Sequence, residues 1–141
     1  MHDSANTLVG ALAAALASRT EIREAYLFGS HALGLAQAHS DIDVAVYVDE
    51  PALAASGYGY AAALTAFLMQ QLATNAIDVV VLNHAPPLLY HRVLRDGHRV
   101  VSRDLRATTT REGYALSRYY DYLPQIAKLE AARSAARHDS P

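Results

Sequence analysis

The chain contains no cysteine. That absence excludes a disulfide framework, a thiolate metal site and a cysteine nucleophile. No uninterrupted apolar run approaches the ~18 residues that a membrane span needs. No lysine or arginine precedes Arg19, so the basic start of a secretory signal is missing, and the simplest compartment is the cytoplasm. No internal repeat is present, which excludes a solenoid. The histidines at positions 2, 31, 39, 84, 91, 98 and 138 form no His-x-His or His-x3-His pair, so the sequence carries no zinc signature. Charged residues are 18% and hydrophobic residues 52% of the 141. That balance rules out a disordered tail or a coiled coil and gives one domain.

What charge there is divides sharply. Residues 1–91 hold two arginines, Arg19 and Arg23, against eight acids, a net of −6. Residues 92–141 hold ten basic residues against six acids, a net of +4. The split predicts an acidic site early and a basic surface late. The basic side chains Arg95, Arg99, Arg103, Arg106, Arg111 and Arg118 are candidates to meet a partner or a polyphosphate.

The apolar pattern predicts a first helix capped by Asp3 or Ser4, with Leu8, Leu12 and Leu16 on one stripe. A strand follows at 23–28, ended by Gly29-Ser30. Residues 31–39 form a short helix or turn and a loop. Residues 41–48 alternate as a second strand. Residues 49–59 read as a loop around Pro51, Gly57 and Gly59. A helix over 60–73 carries Leu64, Leu68 and Leu72. Residues 77–82 (IDVVVL) read as a strand buried on both faces. Pro86-Pro87 opens a helix that Gly97 closes, and 99–102 is an edge strand. Thr109 to Glu112 has capping-box spacing for a last helix, which Pro124 should kink or end. Residues 1–132 form a single domain with its C-terminal helix, and 133–141 should fray. The fold class is α/β (α+β): a small mixed sheet flanked by helices.

The chemistry concentrates in residues 28–48, FGSHALGLAQAHSDIDVAVYV. Alternation along a strand puts Asp41 and Asp43 on one face, while Ile42, Val44 and Val46 anchor the other. Two carboxylates at i and i+2 suit a hard cation such as Mg2+. Asp78, in the next apolar strand, is the natural third acid, because a charge in such a run is costly unless paired or metal-bound. Gly29 permits a sharp turn and a close backbone approach. Ser30 and His31 then offer donors to phosphate, as helix starts do. Each piece alone has an ordinary structural reading: a turn, a solvated edge, a paired core acid. Their coincidence is what carries the chemistry.

Gly-Ser, ten residues, Asp-x-Asp and a later strand acid resemble the nucleotidyltransferase superfamily related to DNA polymerase β. The FGS…SDID form is similar to the minimal nucleotidyltransferases (MNT), partners of HEPN toxins in toxin–antitoxin pairs. Weaker likeness runs through Asp78, residues 93–104 and residues 120–124. The resemblance implies that Gly29, Ser30 and His31 bind the triphosphate of ATP. It implies that Asp41, Asp43 and Asp78 hold Mg2+, with Asp78 helping to activate the acceptor hydroxyl. It also implies transfer of AMP to a tyrosine of a HEPN RNase toxin, without membrane or nucleic-acid binding. The family often has arginine directly after Gly-Ser; His31 here weakens the fixed positive charge near neutral pH. Two alternatives stand beside this reading: neutralisation by complex formation with little catalysis, and a small-molecule (aminoglycoside-type) nucleotidyltransferase.

Other residues mean less. Arg92 and His98 loosely match the HEPN RNase spacing, but Gly97 breaks the helix that motif requires. Tyr119, Tyr120 and Tyr122 read as packing or partner-facing residues before acceptors of AMP. Tyr58 and Tyr60, in a glycine loop, are candidates to stack on a base.

Overall fold

The computed structural model describes residues 2–138. Helix α1 (His2–Leu16) leads into strand β1 (Ile22–Phe28), a four-residue helix α2 (Ser30–Leu33) and strand β2 (Ile42–Val48). Helices α3 (Glu50–Ser56) and α4 (Tyr60–Leu72) carry the chain over to β3 (Ile77–Val81). Helix α5 (Pro87–Asp96), strand β4 (His98–Ser102) and the long helix α6 (Leu105–His138) complete the fold.

The sheet has the order β3-β2-β1-β4. β1 runs antiparallel to β2 and β4, and β2 runs parallel to β3. Both faces are covered, because alternate residues of the central strands point opposite ways. Leu27, Ile42, Val44, Val46 and Ile77 pack with Leu12 and Leu16 of α1 and Leu64 and Leu68 of α4. Tyr26, Phe28 and Ala45 pack on the opposite face with Tyr90 and Val93 of α5 and Ala115 of α6.

That second face also holds Glu24, which is fully buried. Arg111 of α6 grips it with Nε at 2.6 Å from Oε2 and Nη2 at 2.7 Å from Oε1. The Thr108 hydroxyl donates to Oε1 at 3.0 Å. Nearby, Glu112 accepts from the Tyr26 hydroxyl at 2.6 Å and from Arg99 Nη2 at 2.7 Å. A buried carboxylate is tolerable only when its lone pairs are met in this way.

Several elements differ from the sequence reading. Residues 50–56 are helical, because Asp49 caps them: its carboxylate accepts from the Ala52 amide at 3.4 Å, and Pro51 sits in the first turn. Asp3 and Ser4 lie inside α1. α6 begins at Leu105, a turn before the predicted capping box. Asp104 is the cap, accepting from the Ala107 amide at 3.2 Å, while the Thr109 and Thr110 hydroxyls turn back to the Arg106 carbonyl. α6 continues through Pro124 to His138. The carbonyl of Tyr120, which loses its helical partner to the proline, lies on a residue 62% exposed, where water can bond to it. Residues 133–138, expected to fray, are helical, and 139–141 lie outside the described residues. β3 is an edge strand with Asp78 exposed, so it is not buried on both faces. One stretch, Glu50–Leu72, is long and apolar enough to cross a membrane by length and composition. In the fold it is two helices separated by a 3-10 turn at Gly57–Gly59, with Tyr60, Leu64 and Leu68 buried against the sheet.

Replacing Arg111 with methionine should leave Glu24 buried without its counter-charge and cost about 3–5 kcal/mol. Denaturant unfolding would show it, and Glu24→Leu combined with Arg111→Met should recover most of the loss.

Candidate active site

The site forms where β1, β2 and β3 run side by side. Phe28 pairs with Asp43 across the antiparallel ladder, and Asp43 pairs with Asp78 across the parallel one. The three side chains therefore form one row on the α5/α6 face, with neighbouring strands about 4.8 Å apart. Asp41 lies two residues before Asp43, just ahead of β2, and is exposed.

Gly29 follows Phe28 with φ +75 and ψ −157. Its backbone lies so close to Asp43 that a Cβ there would run into Oδ2 of the carboxylate. Only glycine meets both conditions, the positive φ and the missing side chain. The amides of Ala32 and Leu33 both turn back to the Gly29 carbonyl, at 3.1 and 3.2 Å, which folds the chain into α2 directly over the carboxylates. Among the described residues the Ser30 hydroxyl makes no hydrogen bond, so it is free to meet a ligand.

A cavity of about 380 Å³ is lined by Phe28, Gly29, Ser30, Leu33, Leu35, Asp43, Asp78, Arg92 and Asp96. Four of the sequence-predicted residues meet there: Gly29, Ser30, Asp43 and Asp78. Asp41 and His31 do not line it, yet both act on Asp43 electrostatically. Burial, followed by the charges of Asp78 and Asp41, pushes the Asp43 carboxyl up from its ordinary 3.8, against Arg92 and His31 pulling it down. The importance of Asp78 thus comes from its register with Asp43 rather than from burial, which the sequence reading had assumed.

His31 is more constrained than its place in the motif suggests. Its Nε2 lies 3.1 Å from the Ser40 carbonyl oxygen, which can only accept, so Nε2 carries the hydrogen. In the neutral ring Nδ1 is then a bare acceptor. His31 can therefore donate to a phosphate from Nδ1 only as the imidazolium.

Sequence reasoning missed Arg92. It lies on exposed α5 surface, with its guanidinium 6.0 Å from the Phe28 ring centroid. The other half of the RNase-type spacing is absent structurally: His98 is in β4 and its Nε2 is 2.9 Å from the Ala32 carbonyl. Tyr60 is buried, with its hydroxyl donating to Glu21 at 2.9 Å, so it is no base-stacking residue. Tyr58 is fully exposed. Tyr119 stacks on His91 of α5 at 3.6 Å. Of the basic candidates, four are consumed internally: Arg95 by Asp96, Arg99 by Glu112, Arg111 by Glu24, and Arg103 by the Ile22, Leu16 and Arg19 carbonyls.

Carboxylate oxygens are the donors that Mg2+ prefers, and the mutual repulsion at Asp43 is what a divalent cation would relieve. Among the described residues no three Asp, Glu, His or Cys side chains are gathered into a ready ligand group.

Residues 11–106 match the family described as Polymerase beta, Nucleotidyltransferase. The chain belongs to that family. No curated protein matches it in sequence. Its fold resembles several solved chains. One comes from a toxin–antitoxin crystal structure with AMP-PNP, at 23% identity and TM-score 0.55, covering 92% of this chain and 94% of that one. Another is from a tri-AMPylated Shewanella oneidensis HEPN toxin in complex with MNT antitoxin, at 21% identity and TM-score 0.52, covering 98% and 96%. A third, from Shewanella oneidensis, has 19% identity and TM-score 0.59, covering 94% and 98%. At these identities the likeness is one of fold. For this polymerase-β-type nucleotidyltransferase domain, the family match spans β1 through β4 and so includes the whole carboxylate row.

Two outcomes follow for the nucleotidyltransferase domain. Because the Asp43 carboxyl titrates above its unfolded value, ionising it opposes folding once the pH rises past 3.8. Asp43→Asn should therefore raise the thermal midpoint at pH 7, with the gain shrinking to nothing as the pH falls below the ordinary carboxylate range. Gly29→Ala should cost about 1–3 kcal/mol from the positive φ alone, with further loss from the collision with Asp43, measured by urea unfolding.

Proposed function

We infer that this protein is an MNT-type antitoxin that transfers AMP from ATP to a tyrosine of a cognate HEPN toxin and thereby neutralises it. The observation that carries this reading is the row Asp43–Asp78 under the Gly29–Ser30 turn, in a cavity open to solvent. A family that moves nucleotidyl groups supplies the reaction class, and chains of the same fold in toxin–antitoxin structures, one with an AMPylated toxin, supply the partner. The place of action we assign is the cytoplasm.

In this reading Gly29 and Ser30 hold the triphosphate, and Asp41, Asp43 and Asp78 hold Mg2+. Bound there, Mg2+ would lower the pKa of the acceptor hydroxyl and offset charge on the leaving pyrophosphate. Asp78, exposed at the sheet edge, receives the proton of the incoming tyrosine, whose pKa of about 10 leaves it neutral at pH 7. The tyrosine oxygen bonds to the α-phosphorus as the bond to pyrophosphate breaks. Positioning does the rest, as in other phosphoryl and nucleotidyl transfers.

A second reading is neutralisation by complex formation with weak catalysis. His31, able to donate from Nδ1 only when protonated, favours it. Mass spectrometry of the HEPN partner after incubation with this protein, ATP and Mg2+ separates the two. Transfer should add one or more AMP units, and Asp41→Ala with Asp43→Ala should abolish the addition while the protein stays folded. An unmodified toxin held in a stable complex would favour the second reading.

A further inference from the structure

The cavity holding the carboxylate row is lined by three aspartates, Asp43, Asp78 and Asp96, and one arginine, Arg92. A nucleotide polyphosphate entering it brings several more negative charges. Metal ions held by the carboxylates would offset part of this, but the outer phosphates need a cation that does not depend on pH. His31 is not that cation, since its Nε2 is committed to the Ser40 carbonyl.

Arg92 differs from the arginines around it. Among the described residues it makes no hydrogen bond and no ion pair, and its guanidinium lies over the Phe28 ring. Arg19, Arg95, Arg99 and Arg111 each hold a carboxylate. Arg92 thus keeps all of its N–H donors for a ligand, in the fork geometry that suits phosphate.

Its freedom has a visible cause. Asp96 lies four residues on from Arg92 along α5, where an i, i+4 pair forms readily. Asp96 is instead held by its neighbour Arg95, with Nε 2.9 Å from Oδ1 and Nη2 2.9 Å from Oδ2. Each of its oxygens already accepts one bond from that bidentate fork, which holds the carboxylate toward Arg95.

We propose that Arg92 grips the outer phosphates of the nucleotide, and that Arg95, by occupying Asp96, is the positioning residue that keeps Arg92 available. The proposal rests on the nucleotidyl-transfer reading and deepens it: it names the fixed cation of the polyphosphate subsite and how the fold keeps it free.

The test is equilibrium titration of the full chain, in Mg2+, with ATP, tripolyphosphate and AMP. Arg92→Met should weaken ATP and tripolyphosphate by about tenfold or more, the loss expected for charge-assisted hydrogen bonds, and leave AMP within about twofold. Arg92→Lys should fall between. Arg95→Ala should weaken ATP, and Arg95→Ala with Asp96→Asn should restore it, a rescue that a merely structural role for Arg95 would not give. Unchanged ATP affinity in Arg92→Met, or equal losses for ATP and AMP, would overturn the role of Arg92. An Arg95→Ala protein that binds ATP normally would overturn the positioning role. If the wild-type chain binds neither ATP nor tripolyphosphate, the nucleotidyl-transfer reading falls and takes this one with it. Thermal unfolding of each variant separates lost binding from lost folding.

Discussion

The lateral register of β1, β2 and β3 is the constraint from which the site follows. Parallel pairing of β2 with β3 sets Asp43 directly against Asp78, and antiparallel pairing with β1 sets Phe28 on the other side. A one-residue slip in either ladder would send the carboxylate to the opposite face, into the aliphatic layer of Leu12, Leu64 and Leu68. The buried residues on both sides of Asp43 forbid that slip: Ile42 and Val44 must face α1 and α4. Hydrophobic packing on one face of the sheet thus fixes the chemistry on the other.

Placing like charges together has consequences that the surroundings absorb. Asp43 is half-buried beside two other acids, and its carboxyl is pushed up accordingly. Gly29 supplies the space, because any Cβ would collide with the carboxylate. Arg92 supplies an opposing charge from α5. The arrangement is a site strained by charge, a condition that clusters at functional sites.

Several arginines of the C-terminal half brace the sheet. Arg99, Arg103 and Arg111 all reach inward: to Glu112, to the carbonyls at the end of α1, and to Glu24. α6 is held across the sheet by this network together with the packing of Ala115. Of the positive charge in residues 92–141, Arg111 is paired with an acid of the first half, Arg95 and Arg99 with acids of their own half, and Arg103 with backbone carbonyls. Arg92, left unpaired by the local bond between Arg95 and Asp96, is the cation that remains for the site.

The sequence by itself determined the alternation that makes β2 a strand, the Gly-Ser turn, the Asp-x-Asp spacing and the alternating order of helices and strands. These are local properties: side-chain period, glycine's access to positive φ, and the two-residue repeat of a pleated strand. Caps were less legible. Asp49 and Asp104 start helices that were read as loop or placed a turn late, because several Ser, Thr and Asp residues compete at each boundary. Pro124 failed to end α6, since an exposed helix can give the freed carbonyl to water. Only the tertiary structure decided that β3 lies at the sheet edge, that Asp78 faces Asp43, that His31 is tied to Ser40, and that Arg92 alone among the cavity's lining residues brings a positive charge. Each of these depends on which strands become neighbours and which charges find partners far along the chain, and no local period encodes that.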